Sequence, residues 1–335
     1  MKRSSDLDLF KTMLVVGMVL IHVFQLLGRS MPDWVVRVEE GINLITFSGF
    51  LLAMGIGVGM GSERERGLWE RLRPVGLLLL AAWISAFAFA LLVDRTPLTW
   101  ALALDVLSFR RLFGWSEFLA SFFMLYLLLA LFRPLILRMA LDPLSFGLAV
   151  ALSFASTWIT LDLWLPASAT LLSTTLFASF PLLPYLPWFL VGIRLWRSGG
   201  KLSWLHWALA VLCSGFLALQ IHQTGALPGR FPPTVLWVIG PALALALYWA
   251  LARLLAAHVP NVLLLPGRHV LSYLLVSNLL IFSARRIWGR PLTAVETWLG
   301  STLGVLVVIG VGWWLLERWR GETKFRAASV AASTH

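Results

Sequence analysis

The chain has few charged residues and almost no cysteine. Only 13% of its 335 residues are charged and 59% are hydrophobic, whereas soluble domains average about 25% charged and about 45–50% apolar residues. This composition excludes an ordinary water-exposed domain, because the charge needed to cover such a surface is missing. Cys213 is the single cysteine, so an intramolecular disulfide is excluded as well. The sequence therefore predicts an integral membrane protein.

The charge that is present is mainly basic. The chain contains 27 Lys and Arg against 16 Asp and Glu, a net charge of +11. These basic residues lie at the ends of apolar segments rather than in one patch, a pattern that indicates membrane topology and not nucleic-acid binding. No metal-ligand spacing occurs among the histidines near predicted span ends, so no metal site is predicted. Those histidines are His206, His222, His258 and His269.

Long apolar segments predict an all-α polytopic membrane bundle of about ten transmembrane helices. A spanning helix needs about 20 mostly apolar residues. Candidate segments lie near 9–27, 42–61, 75–93, 113–136, 143–165, 177–196, 202–221, 233–257, 262–284 and 293–317. Residues 98–109 are apolar but short, and we expect them to be interfacial or re-entrant. The membrane domain is expected to fill residues 1–320, followed by a disordered cytoplasmic tail, 321–335.

Basic residues also predict the orientation. With the N-terminus in the cytoplasm, the cytoplasmic segments hold 18 of the 27 Lys and Arg residues, which satisfies the positive-inside rule. Both termini are then cytoplasmic and the number of spans is even. Many of the 18 Trp residues, Trp115 among them, lie at predicted span ends, where an interfacial belt is a sufficient explanation.

The first helix carries ionisable groups on one face. Lys11 and His22 are eleven residues apart, about three helical turns, so both project from the same side at a separation of roughly 16 Å. Asp8 and Gln25 extend this face by i, i+3 spacing. Imidazole is the commonest general base near neutral pH, which makes His22 a candidate catalytic residue with Lys11 and Asp8. The alternatives are a structural histidine that bonds a neighbouring helix and a Lys11 that extends to the interface.

A basic loop and three further polar residues are candidates for ligand binding. Arg64, Arg66, Arg71 and Arg73 form the densest basic segment and could bind phosphates. Membrane topology and binding to lipid headgroups explain the same residues.

The second predicted helix, which precedes this loop, contains four closely spaced glycines. Overlapping Gly-x-x-x-Gly spacings there predict close helix packing, and they involve Gly55, Gly57, Gly59 and Gly61.

Three polar residues on other predicted helices complete the candidate set. Glu117 could orient His22 or bind an acceptor, or it could cap its helix together with Ser116. Asn43 and Ser48 could donate hydrogen bonds to an oxyanion, although ordinary interhelical hydrogen bonds are the simpler interpretation.

Several segments are similar to a known enzyme family. The sequence Leu-Asp-Leu-Phe-Lys at 7–11, followed by His22, resembles the first helix of the type-3 membrane acyltransferases. The segment Phe-Ser-Gly-Phe at 47–50 resembles the family's second helix. Arg-Leu-Arg-Pro at 71–74 is similar to its basic, proline-terminated loop.

Later segments resemble the branch that includes heparan-alpha-glucosaminide N-acetyltransferase and its bacterial relatives. The similar motifs lie, in order, at 180–192, 231–241 and 267–275. Lys11 stands where the family usually has Arg, and loses its bidentate fork. Val276, Ser277 and Asn278 stand where a His often follows.

The resemblance implies an acyltransferase in the inner membrane of a bacterium. An acyl group, usually acetyl, would pass from cytoplasmic acyl-CoA to a sugar, glycan or lipid-linked acceptor at the outer face. His22 would act as general base, the arginines would bind the phosphates of CoA, and no cofactor would be permanently bound. A polytopic transporter or flippase is the alternative, since polar groups along one helix face also suit a permeation path.

Overall fold

The computed structural model describes residues 4–29, 31–62, 67–162, 166–289 and 291–333, and within these ranges the chain is helical with no strand. The α-helices are α1 (Ser5–Leu27), α2 (Asp33–Met60), α3 (Leu68–Leu92), α4 (Trp100–Leu107), α5 (Ser116–Leu141), α6 (Pro143–Ala155), α7 (Leu182–Arg197), α8 (Trp204–Thr224), α9 (Val235–Ile239), α10 (Ala242–Leu255), α11 (Leu265–Arg268), α12 (Val270–Trp288) and α13 (Val295–Ser333). Short 3-10 helices occupy Ser156–Trp158, Pro166–Thr170 and Asn261–Leu264.

Eight of the described helical segments are long and apolar enough to cross a membrane. They are α1, α2, α3, α5, α8, α9 with α10, α12, and the first part of α13 up to Glu317. The protein is therefore a multi-pass helical membrane bundle, as the composition predicted. A helix that packs its apolar surface only partly against protein needs lipid around it, and α8 and α13 are the least buried of the eight.

Two of the ten predicted spans are shorter than expected. α6 has 13 residues and α7 has 16; at 1.5 Å per residue α7 rises about 24 Å, less than the about 30 Å hydrocarbon core. α7 begins only after Pro181, because the chain before it forms loops and 3-10 turns that include Pro166–Thr170. The count of ten spans stays a prediction.

The structure describes two segments whose sequence prediction was open or unusual, the short apolar segment 98–109 and the C-terminal segment. α4 has eight residues and rises about 12 Å, which is too short to cross a bilayer, so the segment 98–109 adds no span. α13 continues as helix to Ser333, across most of the segment for which a disordered tail is predicted. The domain boundary at residue 320 stays a prediction.

α1 is the most deeply buried of the eight long helices. Ser4 caps its start by accepting a hydrogen bond from the Leu7 amide at 3.4 Å, and Asp6 and Asp8 in the first turn complement the helix dipole. Its sides pack against α2, α10, α11, α12 and α13. Asp8, Thr12 and His22 on α1 therefore lie inside the bundle, whereas Gln25 is exposed near the end of the helix.

Glycines bring α2 and α7 into direct contact. A Cβ added at Gly55 would overlap the Phe189 carbonyl oxygen, and one at Gly192 would overlap that of Leu52. Gly59 of α2 faces Trp196 of α7. The predicted close packing is thus confirmed for Gly55 and Gly59. A Cβ at Gly57 would meet nothing within 4 Å, because that face of α2 borders a cavity.

Candidate functional site

Two cavities lie along α1, one near each end. The first, of about 480 Å³, contains Lys11 and is named the lysine cavity. The second, of about 210 Å³, contains His22 and is named the histidine cavity. The predicted polar face of α1 thus borders both cavities, with Lys11 in one and His22 and Gln25 in the other.

The lysine cavity is bordered by a buried charge cluster. Lys11 Nζ lies 3.0 Å from Asp8 Oδ1, and Arg268 Nε lies 3.5 Å from Asp8 Oδ2. Asp8 is only 3% exposed, so its carboxylate needs these cations to offset the loss of hydration. Asp8 therefore positions the two cations and does not itself line the cavity.

Backbone packing holds this cluster in place. The Gly267 amide donates a hydrogen bond to Thr12 Oγ1 at 2.9 Å. A Cβ at Gly267 would overlap the Asp8 carbonyl oxygen, so α11 rests directly on α1. This contact requires glycine and places the adjacent Arg268 against Asp8.

Further cations line the lysine cavity. Arg133 donates hydrogen bonds to the Gly61 and Ser62 carbonyl oxygens at 2.8 and 3.0 Å, where α2 ends. Arg71 and Glu70 also line the cavity. Lys11, Arg71, Arg133 and Arg268 make this end of the bundle basic.

His22 of the histidine cavity is held by uncharged neighbours. His22 Nδ1 lies 3.0 Å from Asn278 Oδ1, and Asn278 Nδ2 donates to Ser85 Oγ at 3.2 Å. The imidazole also stacks on Trp115, with ring centres 3.5 Å apart. Because Asn278 presents its carbonyl oxygen, the imidazole proton belongs on Nδ1. Nε2 then carries the lone pair, and His22 borders the cavity.

A chain of hydrogen bonds fixes Trp115. Its indole Nε1 donates to Gln25 Oε1 at 3.2 Å, and Gln25 Nε2 donates to Glu39 Oε1 at 2.8 Å. Asn43 donates to the same Glu39 oxygen at 3.3 Å. In the sequence, an interfacial role was a sufficient explanation for Trp115. In the structure, Trp115 also stacks on the His22 imidazole and helps to hold it in place.

Two ionisable side chains also line the histidine cavity. Glu117 lies in the first turn of α5, and its Oε2 is buried without a hydrogen-bond partner among the described residues. The cap residue of α5 is Trp115, which makes no side-chain capping hydrogen bond, and Glu117 follows it in the first turn; the capping role considered for Glu117 stays a prediction. Arg230, in the loop before α9, places its guanidinium 4.6 Å from the Phe231 ring centre and 5.2 Å from that of Phe180.

An aromatic partition separates the two cavities. Phe47 and Phe118 line the histidine cavity, whereas Phe50 and Phe122 line the lysine cavity. Their rings contact one another, with centres 4.4 Å apart for Phe118 and Phe122. Leu274 borders both cavities. Movement of a ligand from one to the other requires these side chains to shift.

The structure gathers most, but not all, of the predicted site residues. Lys11 and Arg71 line the lysine cavity, and His22, Asn43 and Glu117 line the histidine cavity. Arg73 is exposed, and Ser48 is fully buried with no hydrogen-bond partner for its hydroxyl in the described part of the chain; neither lines the lysine cavity or the histidine cavity. Arg64 and Arg66 lie outside the described residues.

Sequence reasoning missed the long-range partners. Asn278 entered only as a departure from the family pattern, and Arg230 was not singled out. The sole sequence signal at Arg230 was a charge directly before the Phe-Pro-Pro motif at 231–233. Among the described residues, no three or more His, Cys, Asp or Glu side chains come together as a metal site.

Comparison with known family models, with curated proteins and with solved structures gave no match. The function must therefore be argued from the geometry of the two cavities.

Proposed function

We propose that the protein transfers an acyl group from cytoplasmic acyl-CoA to an acceptor at the outer face of a bacterial inner membrane. The observation that carries the proposal is the placement of His22, with Nδ1 tied to Asn278, beside a cavity on the same helix as a separate basic cavity. Resemblance to type-3 membrane acyltransferases points to the same activity.

The proposed orientation places both termini in the cytoplasm. α6 and α7 either both cross the membrane or turn back together, and in each case every later helix keeps its orientation. Eight or ten crossings therefore give the same topology. The lysine cavity, near the start of α1, then opens toward the cytoplasm, where the positive-inside rule expects basic residues.

The lysine cavity suits the donor. Coenzyme A carries phosphates, which Arg binds through paired hydrogen bonds, and Arg71, Arg133 and Arg268 line this cavity. Lys11 lies at its α1 wall and replaces the family's usual Arg. The roughly 16 Å rise from Lys11 to His22 matches an extended pantetheine arm that carries its thioester past Leu274.

His22 supplies the proton chemistry. Its Nε2 takes the proton from an acceptor hydroxyl or amine as that oxygen or nitrogen attacks the thioester carbonyl carbon. The tetrahedral intermediate then loses the thiolate as the carbon–sulfur bond breaks. The imidazolium returns the proton to the sulfur, which yields acylated acceptor and free CoA.

The decisive experiment is acyl transfer by the purified protein. Radiolabelled acetyl-CoA and candidate glycans should give labelled glycan and free CoA, and His22→Ala should reduce this rate by about 100-fold or more. His222→Ala is the matched control, since His222 is exposed at the end of α8. Full activity in folded His22→Ala would refute the role of His22.

A transporter or flippase is the second candidate. The observation that favours it is the aromatic partition, because alternating-access transporters also hold cavities apart on two sides of a barrier. Movement of substrate across proteoliposomes without release of CoA would support transport. Release of CoA that depends on His22 would support the enzyme.

A further inference from the structure

We infer that the histidine cavity binds an acceptor with an anionic group, a carboxylate or a phosphate, close to its reacting hydroxyl or amine, and that Arg230 binds this anion. The assignment of the histidine cavity as an acceptor site rests on the proposed function. Its assignment as an anion-binding site rests on the geometry of the cavity alone.

Arg230 is a half-buried cation whose Nε is fully buried, and no carboxylate among the described residues lies in contact with it. In the part of the chain that the structure describes, it makes no ion pair within 4.0 Å, and its Nε is buried without a hydrogen-bond partner. Glu117 and Glu39 act on it only through longer-range attraction. Burying a guanidinium without a close counter-ion is costly, and an anionic ligand would supply that counter-ion.

Aromatic rings fix the orientation of this guanidinium. Its Cζ lies 4.6 Å from the Phe231 ring centre and 5.2 Å from that of Phe180, and both rings line the histidine cavity. Stacking of this kind limits the planes that the guanidinium can adopt, so its paired donors are ready for a planar carboxylate or a phosphate. Lysine could not provide this geometry.

Glu117 supplies a complementary group. Glu117 lines the same cavity, and its buried Oε2 has no hydrogen-bond partner in the described structure, so its carboxyl group can bind a hydroxyl or an ammonium group of the ligand. The cavity of about 210 Å³ is smaller than the about 300–1,000 Å³ of sites for drug-sized ligands. It therefore fits one charged sugar unit and not a length of chain.

Arg111 provides a matched contrast. Its guanidinium also lies 4.6 Å from a phenylalanine ring centre, that of Phe113, and in the proposed topology it lies on the same side of the membrane. It is exposed and does not line the histidine cavity. A binding effect that depends on the cavity should therefore change when Arg230 is replaced and stay the same when Arg111 is replaced.

The test measures binding without any acyl donor. Equilibrium binding to the purified full-length protein is compared for a labelled disaccharide that ends in glucuronic acid, the same disaccharide ending in glucose, and a short-chain prenyl-phosphate sugar. The proteins are the wild type, Arg230→Gln, Arg230→Lys and Arg111→Gln. Preference for the glucuronate identifies a carboxylate, and preference for the prenyl phosphate identifies a lipid-linked phosphate.

We expect one charged ligand to bind at least about tenfold more tightly than the glucose form. Arg230→Gln should abolish the preference, Arg230→Lys should recover part of it through the retained charge, and Arg111→Gln should leave it unchanged. Equal binding of charged and neutral sugars, or a preference that survives in Arg230→Gln, would overturn the inference. Release of CoA is scored in separate reactions, in which acetyl-CoA is added to the same protein preparations, so its absence in the wild type counts against the proposed function only.

Discussion

The lysine cavity and the histidine cavity share α1 but hold their polar groups by different means. In the lysine cavity, Asp8 binds two cations and the contact of Gly267 with α1 sets their positions. In the histidine cavity, side-chain hydrogen bonds and ring stacking support His22, and Arg230 lies near carboxylates without contacting them. One site depends on close backbone packing, whereas the other depends on amide and indole side chains.

This difference has a consequence for mutation. A change at the backbone contact of Gly267 should damage the fold and the lysine cavity together, because α11 can then no longer pack closely against α1. A change in the side-chain support of His22 should spare the fold and alter the chemistry. Substitutions at the two kinds of support can therefore separate loss of stability from loss of activity.

Gly267→Ala should destabilise the protein most. Its Cβ would overlap the Asp8 carbonyl oxygen and crowd Thr12, and overpacking of a buried contact costs about 1–3 kcal/mol or more. Thermal unfolding in detergent measures the effect. Gly76→Ala is the control, since a Cβ at Gly76 would meet nothing within 4 Å. Equal melting temperatures for the two variants would show that α11 does not rest on α1 as described.

Asn278→Leu should impair catalysis while the protein stays folded. The variant removes the hydrogen bond to His22 Nδ1 and the one to Ser85, so the imidazole loses its fixed tautomer. We expect the kcat for acyl transfer to fall by about tenfold to 100-fold, with a smaller change in the KM for the donor.

Ser277→Ala is the control for Asn278→Leu. Ser277 is also buried on α12, but its hydroxyl donates only to the Leu274 carbonyl oxygen. An increase in donor KM with unchanged kcat in Asn278→Leu would assign Asn278 to packing and remove its role in positioning His22.

The same division explains what could be predicted from the sequence. Local periodicity placed Lys11 and His22 on one face of α1, and apolar length located the eight long segments. The 3.6-residue repeat and the hydrophobic effect act over neighbouring residues, so one sequence contains that information. The lengths of α6 and α7 were overestimated because apolar composition also occurs in the turns of Pro166–Thr170 and nearby loops.

The partners of His22 could not be predicted in this way. Asn278 follows His22 by 256 residues, and their contact depends on how α12 packs against α1. Arg230 and Glu117 line one cavity although they belong to segments that are far apart in the sequence. Such pairs depend on tertiary packing, and no local pattern in a single sequence marks them.

Gly57→Leu should weaken donor binding without affecting the histidine cavity. Gly57 lines the lysine cavity, and a Cβ there would meet nothing within 4 Å, so a leucine side chain can occupy the cavity with little strain. We expect the KM for acyl-CoA to rise several-fold, whereas binding of the charged acceptor stays constant. Gly76→Leu on α3 controls for added apolar surface. Unchanged donor KM in Gly57→Leu would place the donor elsewhere.

The smallest effect is expected at Asp142, which lies in neither cavity and so provides a baseline. Its carboxylate caps α6 by accepting a hydrogen bond from the Ser145 amide at 2.7 Å.

Asp142 should also give stability a specific pH dependence. The Ser145 amide, aided by Arg138 and Arg194, holds the pKa of the Asp142 carboxyl below its ordinary value of 3.8. A lowered pKa means that its stabilising effect is complete above pH 3.8 and is lost as the pH falls through the folded-state pKa. Asp142→Ala should therefore melt slightly below the wild type at pH 7 and converge with it in strong acid. Asp142→Asn, which keeps the cap, should melt between the two at pH 7, and a gap between Asp142→Ala and wild type that stays constant from pH 7 to pH 2 would exclude this titration.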